Sequence, residues 1–231
     1  MLSNQSKSNW CLNSFNYDFR SSSLLELALT HRSYSAENNE RLEFLGDAVL
    51  DLVLSDVLFQ LYPSVDEGNL SLMRASIVNE RSLSALARQL GINEQIILGE
   101  GESLSGGQQR DSILANTLEA IVGAIYLDSN FEKIAAVIKT IFNDSINSID
   151  PSLSYKDDKS TLQELLQQQQ MNLPEYRLIK TTGEKHDQQF FIDCVIKDEG
   201  ITTSGDGKTI KIAEQEAARE ALKRLADDKG E

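Results

Sequence analysis

The spacing of apolar residues changes near residue 150, and this change restricts the folds that the chain can adopt. Before residue 148, apolar side chains recur three and four positions apart, which is the repeat of an amphipathic α-helix. Beyond residue 159, two segments alternate apolar and polar side chains, as strands with one buried face do. The sequence therefore predicts a multidomain protein, in which an all-α domain is followed by a small α+β domain.

The all-α domain is predicted to span residues 24–148. Pro63 ends one of its helices, and Gly91 is a plausible C-cap for the next. The predicted helices are Leu24–Tyr34, Asn39–Leu61, a single helix from Asp66 to Leu90, Ile113–Leu127, and a last one opened by Ser129. Residues 1–23 are predicted to form a polar N-terminal segment, which does not have the basic start and apolar stretch of a signal peptide.

The second domain is predicted at residues 159–226, between a linker at 149–158 and a polar tail at 227–231. The linker contains Pro151 and shows no periodicity. The predicted elements are a helix at Ser160–Gln170, strands at Glu175–Thr182, Gln189–Ile196 and Ile201–Ser204, a turn at Gly205–Gly207, and a helix at Ala213–Ala226. This α-β-β-β-α order defines a small α+β domain.

The net charge of −14 argues at first sight against nucleic acid, because phosphate binding depends on Lys and Arg. A nucleic-acid-binding face would therefore be a local basic patch on an acidic protein. No run approaches the ~20 apolar residues that a membrane span needs. Cys11 and Cys194 lie in different predicted domains, which fits free thiols in a reducing cytoplasm.

Several acids lie inside one strongly apolar predicted helix, in the segment Glu40–Asp47. Glu43 and Asp47 are four residues apart, so they share a face on which two like charges repel each other. Gly46 between them costs about 1 kcal/mol of helix stability relative to Ala, which indicates that another group comes close. Such carboxylates either face solvent or bind a cation, and for an isolated pair the solvated face is the commoner case.

A second mostly apolar helix carries Asn116 and Glu119, three residues apart. Oxygen ligands from two facing helices could together bind a hard cation such as Mg²⁺. A bound divalent ion lowers the pKa of a water molecule and stabilises charge on phosphate oxygens, which suits phosphodiester hydrolysis. The residues taken alone suggest this chemistry without deciding it.

The segment Glu40–Asp47 closely resembles the signature motif of the ribonuclease III family. Further blocks resemble the family in the same order along the chain, and the resemblance extends from about residue 24 to residue 225. These blocks are Leu29–Tyr34, Asp66–Gly68, Met73–Ala75, Gly99–Glu102 and Gly123–Asp128. The resemblance implies a homodimeric endonuclease that cuts double-stranded RNA, with 5′-phosphate and 3′-hydroxyl ends, in ribosomal, messenger and transfer RNA precursors. It also implies Mg²⁺ as cofactor, for which Mn²⁺ can substitute.

Position by position, the resemblance implies a metal site built from the two helices. The implied ligands are Glu43, Asp47, Asn116 and Glu119, with Asp47 and Glu119 as the catalytic acids. Glu40 and Glu67 match acids that support the site, Phe44 matches an aromatic residue of the dimer interface, and His31 is implied to be structural. Asp51 matches no ligand of the family and is interpreted as a solvated acid.

Asn116 departs from the family pattern, which usually has Asp at this place. An amide oxygen can still bind Mg²⁺, but one negative charge is lost, so we expect weaker metal binding or a need for more Mg²⁺ or for Mn²⁺. Two alternatives stay open at this point. One is a double-stranded RNA-binding protein in which Asn116 impairs catalysis, and the other is a helical scaffold with merely solvated acids.

The C-terminal domain resembles a double-stranded RNA-binding domain, which reads the shape of the A-form duplex. The resemblance implies contacts from its first helix, its first turn and the start of its last helix. The implied RNA-binding residues are Thr161, Gln163, Glu164, His186, Lys208 and Lys211. Ile210 and Ile212 stand where the family often has Lys or Arg, so we expect modest and steeply salt-sensitive RNA affinity.

Overall fold

The computed structural model describes residues 4–150, 158–183 and 188–227, and the chain divides into two compact units, Met1–Leu153 and Ser154–Glu231. The first unit is helical, as predicted, and the second combines helices with a sheet. The helices of the first unit are α1 (Asn4–Phe15), α2 (Ser22–Leu29), α3 (Glu40–Leu61), α4 (Glu67–Val78), α5 (Glu80–Gln89), α6 (Glu100–Leu104), α7 (Asp111–Asp128), α8 (Phe131–Ile141) and α9 (Asn143–Asn147). Among the described residues, no helix is long and apolar enough to cross a membrane.

Helix α7 lies at the centre of the first unit, and its side chains Leu114, Leu118 and Ile121 are fully buried. It packs against α3 so closely that the backbones touch at two glycines. A β-carbon on Gly46 would overlap the carbonyl of Glu119, and one on Gly123 would overlap the carbonyl of Leu42. Only glycine permits this approach, so the two helices are held at a fixed position along each other.

The helix predicted from Asp66 to Leu90 is in fact two helices, because Asn79 interrupts it. Asn79 has extended backbone angles (φ −68°, ψ 156°), and its side-chain oxygen accepts a hydrogen bond of 3.0 Å from the amide of Ser82. Asn competes with the helix by bonding to nearby backbone groups, which is why it favours caps. An apolar repeat that continues across the break concealed it in the sequence.

The first predicted helix ends at Leu29 rather than at Tyr34. Thr30 is extended and forms an isolated bridge with Ile97, in which the His31 amide donates to the Ile97 carbonyl at 3.0 Å. The predicted N-terminal segment contains α1, which the sequence analysis did not predict, since its apolar residues form no regular stripe. Cys11 and Phe15 are nevertheless buried.

Asp128, the last residue of α7, fixes the segment that precedes α2. Its carboxylate accepts hydrogen bonds from the Tyr17 hydroxyl (2.7 Å) and from the backbone amides of Arg20 (2.7 Å) and Ser21 (3.0 Å). Burial, together with the hydrogen bond to Asp128, raises the pKa of Tyr17 to about 12. One side chain therefore connects the end of the central helix to the start of the domain.

Replacement of Asp128 by alanine is expected to lower the free energy of unfolding by about 2 kcal/mol, because these donors lose a charged acceptor. Urea denaturation followed by circular dichroism measures the change. Asp144→Ala, which removes an exposed acid of α9, is the control and should change stability by less than about 0.5 kcal/mol. Equal stability of the two variants would contradict the anchoring role.

The second unit contains α10 (Asp158–Gln168), β1 (Glu175–Thr182), β2 (Gln189–Ile196), β3 (Ile201–Gly207) and α11 (Ile210–Asp227). The strands form an antiparallel sheet in the order β1-β2-β3. One face of the sheet packs on both helices through a buried core. This core includes Leu162, Leu166, Cys194, Ile196, Ala217, Ala218, Ala221 and Leu225.

The turn predicted at Gly205–Gly207 is the end of β3, where Gly205 pairs with Ile192 and Gly207 with Phe190. Gly205 lies directly against α11, and a β-carbon there would overlap the backbone of Ala213 and Ala217. Glycine serves close packing at this position rather than a turn. The linker predicted at 149–158 lies mostly outside the described residues, and so does the tail beyond residue 227.

Candidate functional site

The crossing of α3 and α7 brings the acids of one helix opposite the polar residues of the other. Gly46, between Glu43 and Asp47, touches the backbone of Glu119. Burial, followed by the negative charges of Asp47, Glu43 and Asp51 in that order, raises the pKa of Glu119 to about 7. The structure therefore gathers Glu43, Asp47 and Glu119 into one electrostatically coupled group.

Glu43 connects this group to Asn116. Burial raises the pKa of Glu43, the neighbouring Glu40 adds to the rise, and the side chain of Asn116 opposes it as a hydrogen-bond donor. Asn116 itself is half-buried on α7. The four residues that were predicted as ligands thus lie near the crossing of α3 and α7.

The donor set of this site fits a hard divalent cation, since it offers carboxylate oxygens and one amide oxygen. Within the described parts of the chain, no three His, Cys, Asp or Glu side chains are grouped closely enough to hold a metal ion by themselves. The charges of Asp47 and Glu43 raise the pKa of Glu119, but the carboxylates do not converge on one point. A cation between them would offset the repulsion that raises the pKa of Glu119.

A cleft of about 530 Å³ opens beside Glu43 and Asn116. Its other lining residues include His31, Arg32, Ser33, Asn39, Glu40, Glu102 and Arg110. Arg32 pairs with Glu40 at 3.2 Å, and Arg110 pairs with Glu102 at 2.9 Å. Local sequence does not indicate a role for these arginines, because only the fold brings Arg32 and Arg110 to the same opening.

His31 lines the same cleft, and its Nδ1 lies 2.8 Å from the Ser33 hydroxyl. Burial lowers the pKa of His31, so the ring favours its neutral form. Its nitrogen is used in holding the loop before α3, which agrees with the structural role that was expected of it.

Glu67 lies elsewhere in this chain, at the start of α4. It lines a different groove, of about 630 Å³, together with Leu52, Phe59 and Arg74. Its carboxylate accepts a hydrogen bond of 3.0 Å from the Ser71 hydroxyl. The structure therefore does not bring Glu67 into the cleft beside Glu43.

Asp51, which was interpreted as a solvated acid, is only partly exposed to solvent. Its side chain is half-buried and pairs with Arg74, whose Nε lies 3.6 Å from Asp51 Oδ1. Burial raises the pKa of Asp51, the positive charge of Arg74 lowers it, and the negative charge of Asp47 raises it. In the sequence, the spacing of four residues from Asp47 is the signal that places Asp51 near the site.

Phe44 is 80% exposed, and Leu52 and Phe59 on the same side of α3 are 57% and 70% exposed.

In the second unit, Thr161 is half-buried on α10, whereas Gln163 and Glu164 are exposed. Lys208 and Lys211 are exposed near the start of α11, and His186 lies outside the described residues. Ile210 and Ile212 are also exposed there, at 47% and 52%.

Comparison with known proteins gives the same two units. The family described as ribonuclease-III-like matches residues 21–145, and the double-stranded RNA binding motif matches residues 159–225. Ribonuclease 3 of Nitrosomonas eutropha is 51% identical over 207 residues, which are 90% of this chain and 84% of that protein. The chain belongs to the ribonuclease III family. Ribonuclease 3 of Thiobacillus denitrificans is 47% identical over 90% of this chain and 92% of that protein.

Solved structures support the ribonuclease III fold of the first unit. The nuclease domain of ribonuclease III from Campylobacter jejuni is 41% identical to this chain in sequence. The match covers 62% of this chain and 97% of that domain's chain, with a TM-score of 0.59. A second structure of that domain, with a TM-score of 0.58, concerns flexibility in a region involved in its dimer formation. The predicted fold class and family are thus confirmed.

As a ribonuclease III with a double-stranded RNA-binding domain, the chain is an endoribonuclease that acts on double-stranded RNA. Enzymes of this family depend on a divalent metal ion. The comparisons do not support the alternative of a binding protein with impaired catalysis, and they exclude a mere helical scaffold.

Proposed function

We propose that this ribonuclease III uses Mg²⁺ held by Glu43, Asp47, Asn116 and Glu119, with Asp47 and Glu119 as the catalytic acids. The observation that carries the proposal is the mutual electrostatic influence of carboxylates from α3 and α7 across the contact at Gly46. Mn²⁺ can take the place of Mg²⁺, because the donor set is one of hard oxygen ligands. When bound, the ion supplies an activated water molecule and stabilises charge on the phosphate.

Other residues around the site are proposed to orient the ligands and to attract the RNA. Asn116 orients the Glu43 carboxylate through its amide, and Glu40, one turn earlier on α3, adds a second negative charge beside it. Arg32 and Arg110, which line the adjoining cleft, favour the approach of an RNA backbone to an acidic site. We expect 5′-phosphate and 3′-hydroxyl products.

The enzyme is proposed to act as a homodimer through the exposed apolar side of α3, where Phe44, Leu52 and Phe59 lie. Sedimentation equilibrium of the full chain measures the association. Phe44→Asp places a charge in this surface and should shift the protein to monomers, whereas Leu104→Asp, at another exposed apolar residue, should not. A dimer that persists in Phe44→Asp contradicts the assignment of this face.

The second unit is proposed to bind the duplex through Thr161, Gln163 and Glu164 of α10, through His186, and through Lys208 and Lys211 near the start of α11. Backbone amides at a helix start favour phosphate, and the neighbouring lysines strengthen this preference. Exposed Ile210 and Ile212 add no charge there, so affinity should be modest and should fall steeply with salt. Proposed substrates are ribosomal, messenger and transfer RNA precursors in the cytoplasm.

A gel assay of a labelled RNA duplex with and without Mg²⁺ tests the proposed function. Cutting of the duplex only when Mg²⁺ is present supports it. A mobility shift without cutting at any concentration of Mg²⁺ or Mn²⁺ overturns it. End-labelling of the products distinguishes 5′-phosphate from 5′-hydroxyl ends.

Replacement of Asn116 by aspartate is expected to lower the Mg²⁺ concentration that gives half-maximal cleavage, by about fivefold, because it adds a negative charge to the ligand set. The measurement is a set of cleavage rates over a range of Mg²⁺ concentrations. Asn13→Asp, which adds the same charge at an exposed position of α1, is the control and should leave the curve unchanged. Identical metal dependence of Asn116→Asp and the unaltered protein would refute weak metal binding through Asn116.

A further inference from the structure

Asp51 extends the row of carboxylates on the catalytic side of α3. It follows Asp47 by four residues, as Asp47 follows Glu43, and residues at this spacing have Cβ atoms about 5–6 Å apart. The Asp51 side chain is 39% exposed, so it lies against the protein rather than fully in solvent. The ligand set assigned above does not include it.

Arg74 of α4 holds this carboxylate in place. Its Nη1 donates a hydrogen bond of 2.8 Å to the Ser55 hydroxyl, one turn beyond Asp51 on α3. Its Nε lies 3.6 Å from Asp51 Oδ1, which is longer than a hydrogen bond. Arg74 therefore orients Asp51 without closing around it, and the carboxylate can still act on the neighbouring site.

The proposed metal site beside Asp51 would bind a cation more strongly with a further negative charge. Asn116 contributes a neutral amide, so the direct ligands provide three negative charges from Glu43, Asp47 and Glu119. Asp51 lies one helical turn beyond Asp47, so its negative charge acts close to these ligands. A cation at the helix crossing would therefore be attracted by Asp51 as well as by its direct ligands.

We propose that Asp51 is a positioning residue for the divalent ion, a carboxylate held by Arg74 that adds negative charge beside Asp47 and strengthens ion binding where Asn116 is neutral. The inference rests on the proposed function, because it takes the ion to bind at Glu43, Asp47, Asn116 and Glu119. Asp51 acts through the electrostatic field at these ligands and does not touch the substrate.

Calorimetric titration of the full chain with Mn²⁺, without RNA, tests the inference. Asp51→Asn should weaken Mn²⁺ binding by about fivefold, since a unit charge several ångströms from a divalent ion is removed. Asp51→Glu, which keeps the charge, should stay within about twofold of the unaltered protein. Glu132→Gln removes one charge from exposed α8 and should leave binding unchanged.

Thermal unfolding in EDTA distinguishes an effect on the ion from an effect on the fold. Asp51→Asn should not lower the unfolding midpoint, because the pair with Arg74 is partly exposed and repulsion from Asp47 is relieved. Unchanged Mn²⁺ binding in Asp51→Asn overturns the inference. The inference is also overturned if Asp51→Asn binds Mn²⁺ more weakly and has a lower unfolding midpoint, and Asp51→Glu does not restore that midpoint.

Asp47→Asn separates this inference from the proposed function. It should weaken Mn²⁺ binding by more than tenfold, since it removes a direct ligand. If Asp47→Asn binds Mn²⁺ as well as the unaltered protein does, the proposed site itself is wrong. If Asp47→Asn loses binding while Asp51→Asn keeps it, only the role of Asp51 is wrong.

Discussion

Replacement of Glu119 by glutamine is expected to reduce cleavage of double-stranded RNA by about a thousandfold, which corresponds to about 4 kcal/mol of transition-state stabilisation. Glutamine keeps the size of the side chain but removes the charge that faces Asp47 and Glu43. Single-turnover cleavage at saturating enzyme and Mg²⁺ measures the effect. Binding of the duplex in EDTA should be unchanged, because the RNA-binding domain is a separate unit.

Glu26→Gln provides the control for this prediction, as it makes the same chemical change on α2. It should cleave at the rate of the unaltered protein. A Glu119→Gln variant that keeps more than about a tenth of the cleavage rate would remove Glu119 from the catalytic acids.

Replacement of Gly46 by alanine is expected to lower the free energy of unfolding by about 3 kcal/mol. The added methyl group would overlap the carbonyl of Glu119 and lie 2.9 Å from the amide nitrogen of Gly123, so α3 and α7 must separate. The gain of about 1 kcal/mol that alanine brings to an isolated helix offsets only part of this overlap. Cleavage should fall as well, because the same separation moves Glu43 and Asp47 away from Glu119.

Differential scanning calorimetry at fixed protein concentration measures this loss, which should lower the unfolding midpoint by about 10 °C. Gly101→Ala is the matched control, because a β-carbon at Gly101 meets no atom within 4 Å. It should be as stable as the unaltered protein. A stable and active Gly46→Ala variant would mean that the two helices can move apart at little cost.

The helices that carry the acids could be predicted from local sequence. The regular apolar repeat and Pro63 predicted Asn39–Leu61, and α3 begins one residue later. The cost of Gly46 within a helix also indicated a close neighbour correctly. Breaks that arise from tertiary contacts could not be predicted in this way, since the extended backbone of Thr30 depends on pairing with the distant Ile97.

The proposed ligand residues were inferred from the spacing within each helix and from the resemblance to the family. Which helices face each other is not encoded in either spacing, so the contact of Gly46 with Glu119 was known only from the fold. The partner of Asp51 illustrates the same limit. Arg74 lies on another helix, and nothing in its local sequence indicates that it reaches α3.

Helix α7 forms the centre of the buried core and also carries Asn116 and Glu119. Heat inactivation and the melting of this domain should therefore be a single event, with no inactive yet folded species preceding it. Most substitutions along this helix are consequently expected to destabilise the fold before they alter the chemistry.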